Sequence, residues 1–219
     1  MRAIILTSTL ALLGLACQAV SLPAISPALS MKAAPGSLLF QDDFSDPASG
    51  WDRQILPGSG VVDYYDGALR ILVSSVDEML WSGPGLEFSD VRIEVQASRL
   101  SGPEDNLFGI VCRATDRENF YFLAISSDGY YGIGKVKEGV QSLIANLEMP
   151  PHDAIIQGEA SNHLRADCSG SHLRLMVNGA EIAAVEDPEF TSGQVGLLAG
   201  SFSPPGVDIR FDNFMVLQP

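Results

Sequence analysis

From residue 38 onward the chain alternates apolar and polar positions with a period of two. The cleanest run is 90–99, where Val91, Ile93, Val95 and Ala97 interleave with Arg92, Glu94, Gln96 and Ser98. Successive side chains of a strand point to opposite faces, so this pattern predicts a strand with one face buried. The same alternation recurs at Leu164, Ala166 and Cys168, at Leu173, Leu175 and Val177, and at Val207, Ile209 and Phe211. The predicted strands are 38–44, 60–66, 68–75, 78–82, 90–99, 107–114, 119–126, 130–136, 140–147, 163–168, 172–178, 181–186, 194–201 and 207–217. Turn pairs punctuate them at Asp66-Gly67, Asp128-Gly129, Ser169-Gly170 and Asn178-Gly179. The last is the strongest signal, because a type I′ turn needs positive φ at both central residues. It predicts a hairpin joining Leu173–Val177 to Glu181–Val185. No segment sustains a helical period. Many short strands separated by Gly/Pro turns mean an all-β, two-sheet antiparallel sandwich. The first strand, with Leu38, Phe40 and Phe44, is expected to pair with the last, with Phe211, Phe214 and Val216.

Composition narrows the function classes. At 219 residues one all-β domain is the natural expectation. A hydrophobic share of 46% excludes a disordered chain. Thirteen Lys+Arg stand against 27 Asp+Glu, a formal charge of −14. That balance argues against nucleic acid and against an anionic membrane surface, both of which recruit clustered cations.

The N-terminus departs from the strand pattern. Arg2 precedes an apolar stretch from Ile4 to Leu15, followed by small residues. This reads as a secretory signal peptide over 1–16, too short for a spanning helix of about 20 residues. The run Leu13-Gly14-Leu15-Ala16-Cys17 resembles a bacterial lipobox, although Gly14 replaces the usual Leu. The resemblance implies lipidation at Cys17; ordinary signal-peptidase cleavage nearby is the alternative. Residues 17–37 carry Pro23, Pro27 and Pro35 among small residues and read as a flexible tether. The sandwich then spans 38–219. The expected location is extracytoplasmic, held to the envelope by the N-terminal lipid alone, or else secreted.

Cys112 and Cys168 remain after Cys17. An even pair in an exported chain predicts a disulfide. Its closed loop contributes about 4 kcal/mol in the chain-entropy account. Two separate buried thiols are the alternative.

Several segments together carry a family resemblance. They are Phe108-Gly109-Ile110-Val111-Cys112-Arg113, Asn119-Phe120-Tyr121-Phe122 and Asp128-Gly129-Tyr130-Tyr131. To these add Asp42-Asp43-Phe44-Ser45 with Gly50-Trp51, Asn162 to Ala166, Gly193 to Leu197 and Phe211-Asp212-Asn213-Phe214. The pattern resembles the concanavalin A-like lectin/glucanase jelly rolls, near the exported bacterial 3-keto-disaccharide hydrolase-type and laminin-G-like domains. The resemblance implies a jelly roll over nearly all of 38–217. It implies no single activity, because the fold hosts lectins, lyases, glycosidases and adhesive modules.

The catalytic pattern of the jelly-roll glucanases is absent. A retaining glycosidase needs two carboxylates about 5–5.5 Å apart. No Glu-x-Asp-x-x-Glu run occurs, and Glu186-Asp187-Pro188-Glu189 is broken by its proline. His152, His163 and His172 are scattered. The reading therefore leans away from an enzyme and toward a carbohydrate or surface-glycan binder. A hydrolase with an unrecognised site and a purely adhesive domain are the alternatives. For binding, the candidates are Arg113, Tyr121, Tyr131 and Trp81. If Phe120 and Phe122 face the core, Tyr121 stands beside Arg113 on the outer face as a polar platform. Surface ion pairing of Arg113 and plain packing of Tyr121 are the bland alternatives. Asp42, Asp43 and Asp212, with Asp46 nearby, carry two readings: ligands of a structural Ca²⁺, or solvated edge carboxylates that discourage aggregation. No other cofactor is expected.

Overall fold

The computed structural model describes residues 33–219. The predicted signal peptide, Cys17 and the tether as far as residue 32 lie outside the described residues.

Sixteen strands follow one another among the described residues. They are β1 (Leu38–Asp42), β2 (Gln54–Leu56), β3 (Gly60–Tyr65), β4 (Ala68–Val73), β5 (Glu78–Ser82), β6 (Glu87–Phe88), β7 (Val91–Ser101) and β8 (Asn106–Ala114). Then come β9 (Phe120–Ile125), β10 (Tyr131–Lys137), β11 (Val140–Leu143), β12 (Asn162–Ser169), β13 (His172–Val177), β14 (Ala180–Glu186), β15 (Gly193–Ser201) and β16 (Val207–Leu217). The pattern missed β2 and β6, whose three and two residues are too short to show an alternation.

The strands form two antiparallel sheets. The larger runs β14-β13-β12-β7-β16-β4-β3-β2, with β1 also on β16; the smaller runs β11-β10-β9-β8-β15-β5, with β6 also on β15. First and last strands pair as expected, with Asp42 opposite Phe214 and Leu38 opposite Leu217. Two further bonds extend the pairing: the Gly36 N–H donates to the Gln218 carbonyl and the Gln218 N–H to the Ser37 carbonyl. The turn between β13 and β14 has φ of 52° at Asn178 and 86° at Gly179, the geometry the Asn-Gly pair predicts.

The larger sheet behaves as its alternation requires. Val91, Ile93, Val95, Leu164, Ala166, Leu173, Leu175, Phe211 and Phe214 join one inter-sheet core. Its opposite face is laced by ion pairs. Arg70 donates Nε and Nη2 to the two oxygens of Asp208, and Asp167 accepts from both Arg92 and Arg165.

The smaller sheet is apolar on both faces. Phe108, Ile110, Cys112, Tyr121, Leu123 and Ile125 join the inter-sheet core. On the reverse face Leu107, Val111, Phe120, Phe122, Ala124, Leu198 and Trp81 form a second cluster. Cys112 in β8 pairs with Cys168 in β12, so the disulfide crosses the sandwich from one sheet to the other.

Candidate functional site

One depression gathers polar groups around an aromatic ring. Its volume is about 380 Å³, and it is lined by Gly50, Asp52, Trp81, Gly83, Gly85, Asp116, Arg117 and Gln194. Asp52 lies on the β1–β2 connection, Trp81 on β5, Asp116 and Arg117 on the β8–β9 connection, and Gln194 on β15. Chain distance between them is large, and the sheet order closes it: β5 and β8 both pair with β15.

Trp81 anchors this pocket. Its ring belongs to the cluster on the reverse face of the smaller sheet and sits 5.7 Å from the ring of Phe120. Gly196 makes room beside it. A Cβ at 196 would stand 2.3 Å from the Ser82 carbonyl oxygen and 3.1 Å from Cε3 of the indole. The Arg117 guanidinium covers the ring at 4.5 Å from its centroid. Its Nη1 donates to the Trp81 carbonyl at 2.6 Å, and its Nη2 donates to Asp52 Oδ2. Only 7% of Trp81 is exposed, and its buried indole N–H has no hydrogen-bond partner.

The two carboxylates of the depression are both engaged. Asp116 accepts from the Glu118 N–H and from the Asn119 side-chain amide, which hold its carboxyl below the usual carboxylate range. Asp52 Oδ2 accepts from Arg117 and, at 3.4 Å, from the Gln54 amide.

The predicted Arg113–Tyr121 platform is corrected by the structure. The two residues do meet, but inside the protein. Arg113 is 1% exposed and Tyr121 is fully buried. Two features reverse the expected facing. Cys112 and Tyr121 are direct cross-strand partners, and opposite residues of a pair share a face, so Tyr121 follows Cys112 into the core. Phe120 and Phe122 turn to the other cluster instead. Around Arg113 the β8–β15 register shifts, and Arg113 takes φ 55°; such a bulge breaks the alternation and turns its side chain inward.

There the guanidinium is a clasp. It donates to the carbonyls of Ser89, Gly170 and Phe190 at 3.0, 2.6 and 3.0 Å, and it lies 3.4 Å from Asp90. Burial lowers its proton affinity, and the Asp90 carboxylate works the other way. The Tyr121 hydroxyl accepts from the Phe190 N–H, and burial and the Asp187 carboxylate push its pKa up to about 12.

Tyr131 is apart from both groups. It packs against the inter-sheet core from β10, with its ring edge-on to His152 at 6.0 Å, and three strands separate β10 from β5. Of the four predicted contact residues only Trp81 lines the depression. Asp52, Arg117 and Gln194 were missed by sequence reasoning; the tryptophan was the one signal that pointed there.

The predicted calcium ligands Asp42, Asp43 and Asp212 each accept hydrogen bonds from protein donors. Asp42 accepts the Phe44 N–H at 2.7 Å, the Ser49 hydroxyl at 2.5 Å and the Trp51 indole N–H at 2.9 Å. Asp43 accepts from the backbone and hydroxyl of Ser45, and Asp212 accepts from Arg210. Among the described residues no three His, Cys, Asp or Glu side chains gather in a metal-binding arrangement.

No family model matches the chain, and no curated protein does. Solved structures do. The carbohydrate-binding module CBM66 from Bacillus subtilis has a TM-score of 0.63 at 18% identity, over 77% of this chain and 96% of that one. A Bacillus subtilis protein of unknown function with a galectin-like fold gives 0.60 at 14%, over 84% and 97%. The GH43 protein BlXynB from Bacillus licheniformis gives 0.61 at 14%, over 82% of this chain but only 39% of its own. At these identities the likeness is one of fold, a two-sheet antiparallel jelly-roll β-sandwich.

Proposed function

We propose that this chain is an exported, lipid-anchored carbohydrate-binding module, attached through Cys17 and binding a glycan without cleaving it. The observation that carries this reading is the Trp81 depression: an open concavity of about 380 Å³ where the edge of a tryptophan lies beside the Gln194 amide and the Asp52 carboxylate. Sugar recognition uses that combination, an apolar plane with a few convergent hydrogen-bonding groups. The fold it shares with a carbohydrate-binding module and with part of a GH43 protein is consistent with this reading.

The test is a broad glycan array on the exported chain, followed by titration calorimetry of each hit. A saturable hit is expected. Trp81→Ala and Gln194→Ala should each weaken it by tenfold or more, about 1.4 kcal/mol, at unchanged melting temperature for the second. A blank array on folded protein, or a hit indifferent to both substitutions, sinks the proposal. Conversion of a bound glycan to shorter products would move the chain to the hydrolase class.

A further inference from the structure

We infer that the Trp81 depression selects uncharged saccharides, and that the Asp52–Arg117 pair is the device that rejects anionic ones. The inference rests on the carbohydrate reading above and specifies which sugars the site takes.

The argument starts from which donors are available. An anionic sugar, whether a uronate or a sulfate ester, needs a cation or several free N–H groups. The one cation lining the depression is Arg117, and it is already committed to the Trp81 carbonyl, to Asp52 and to the face of the Trp81 ring. Two carboxylates, Asp52 and Asp116, line the same space, so an arriving anion meets net negative charge. The wider chain carries −14 and adds no attraction.

A neutral hydroxyl-rich ring meets a different situation. A hydroxyl both donates and accepts. It can donate to Asp52, while the Gln194 amide offers both functions. Such a ligand leaves the Asp52–Arg117 contact intact. An anion would have to break it, leaving Asp52 without its cation.

The experiment uses an array carrying neutral oligosaccharides beside the uronate and sulfated forms of the same backbones, with the exported chain and its Asp52→Asn variant. The expected result is at least a tenfold preference of the native chain for the neutral member of each pair, shrinking as salt is raised. Asp52→Asn should narrow that preference several-fold, chiefly by gaining the anionic member, at a melting temperature close to the native one. Equal or tighter binding of the anionic member by the native chain overturns the inference and leaves the carbohydrate reading standing. A preference that Asp52→Asn leaves unchanged overturns the role of the pair. Binding to neither member overturns the carbohydrate reading, and the inference with it.

Discussion

The Tyr121 hydroxyl donates to Asp187 Oδ1 at 2.7 Å, tying the interior of β9 to the segment between β14 and β15. The tyrosine oxygen in turn accepts the Phe190 N–H at 3.0 Å. Tyr121→Phe keeps the ring and removes these bonds, together with the hydroxyl's contact to the Asp187 carbonyl. We expect a loss of about 1–3 kcal/mol in urea unfolding, the cost of buried partners left unpaired. Glycan binding should be unchanged, since the residue is buried away from the Trp81 depression. A Tyr121→Phe protein of native stability that no longer binds glycan would restore this tyrosine as a contact residue.

Arg113 should matter for folding rather than for ligand. Its guanidinium satisfies three backbone carbonyls from three separate segments. Arg113→Ala removes the donor from all three and leaves the Phe190 carbonyl buried without one, and we expect a loss of about 1–3 kcal/mol. Arg113→Lys keeps the charge but not the planar fork, and should recover only part of it. Chemical denaturation of the three proteins gives the ranking directly; a native-like midpoint for Arg113→Ala would overturn the clasp.

Acid should weaken the fold through two aspartates. Burial works against the charge on Asp167, but Arg165 and Arg92 outweigh it and hold its carboxyl below the ordinary value. For Asp187, burial is likewise outweighed, by Lys135 and Tyr121. A native pKa below the unfolded one means that the native state binds fewer protons. The stabilisation is therefore fully present above about pH 4 and is lost as pH falls through the lowered native values. Urea midpoints measured from pH 6 down to pH 2 should fall over that range. Lys135→Met should flatten the fall; an identical profile would remove Asp187 from the account.

Chelation should leave the domain intact. Both oxygens of Asp42 are occupied by protein donors, and no acidic trio converges among the described residues. EDTA is expected to leave the melting temperature unchanged, and added calcium likewise. A drop of several degrees in EDTA, reversed by calcium, would establish a structural metal and overturn this expectation.

The sequence was informative where one face of a strand is polar. In β7 and β12 the alternation is strict, because the outer face carries Arg92, Glu94, Arg165 and Asp167, and facing followed from it. The Asn178-Gly179 turn was legible because its chemistry is local. In β8 and β9 both faces are apolar, so Phe120 and Phe122 gave no indication of which side is inside. A bulge at Arg113, unmarked by any glycine, then turned a charged side chain inward. The Trp81 depression was only partly visible for another reason. Asp52, Arg117 and Gln194 sit on segments that only the sheet order brings together, and no period or spacing marks them.

The pairing of β1 with β16 makes the sandwich, rather than the whole polypeptide, nearly a ring. With Gly36 bonded to Gln218, a short link between residues 36 and 218 would close the sandwich, and the point at which it is opened then becomes one choice among many. Strand adjacency, not the order in which strands are synthesised, specifies this sandwich. New termini opened at the exposed Leu147, with the old ends joined, should leave every ladder in place, because surface breaks of this kind are the ones that folded domains tolerate.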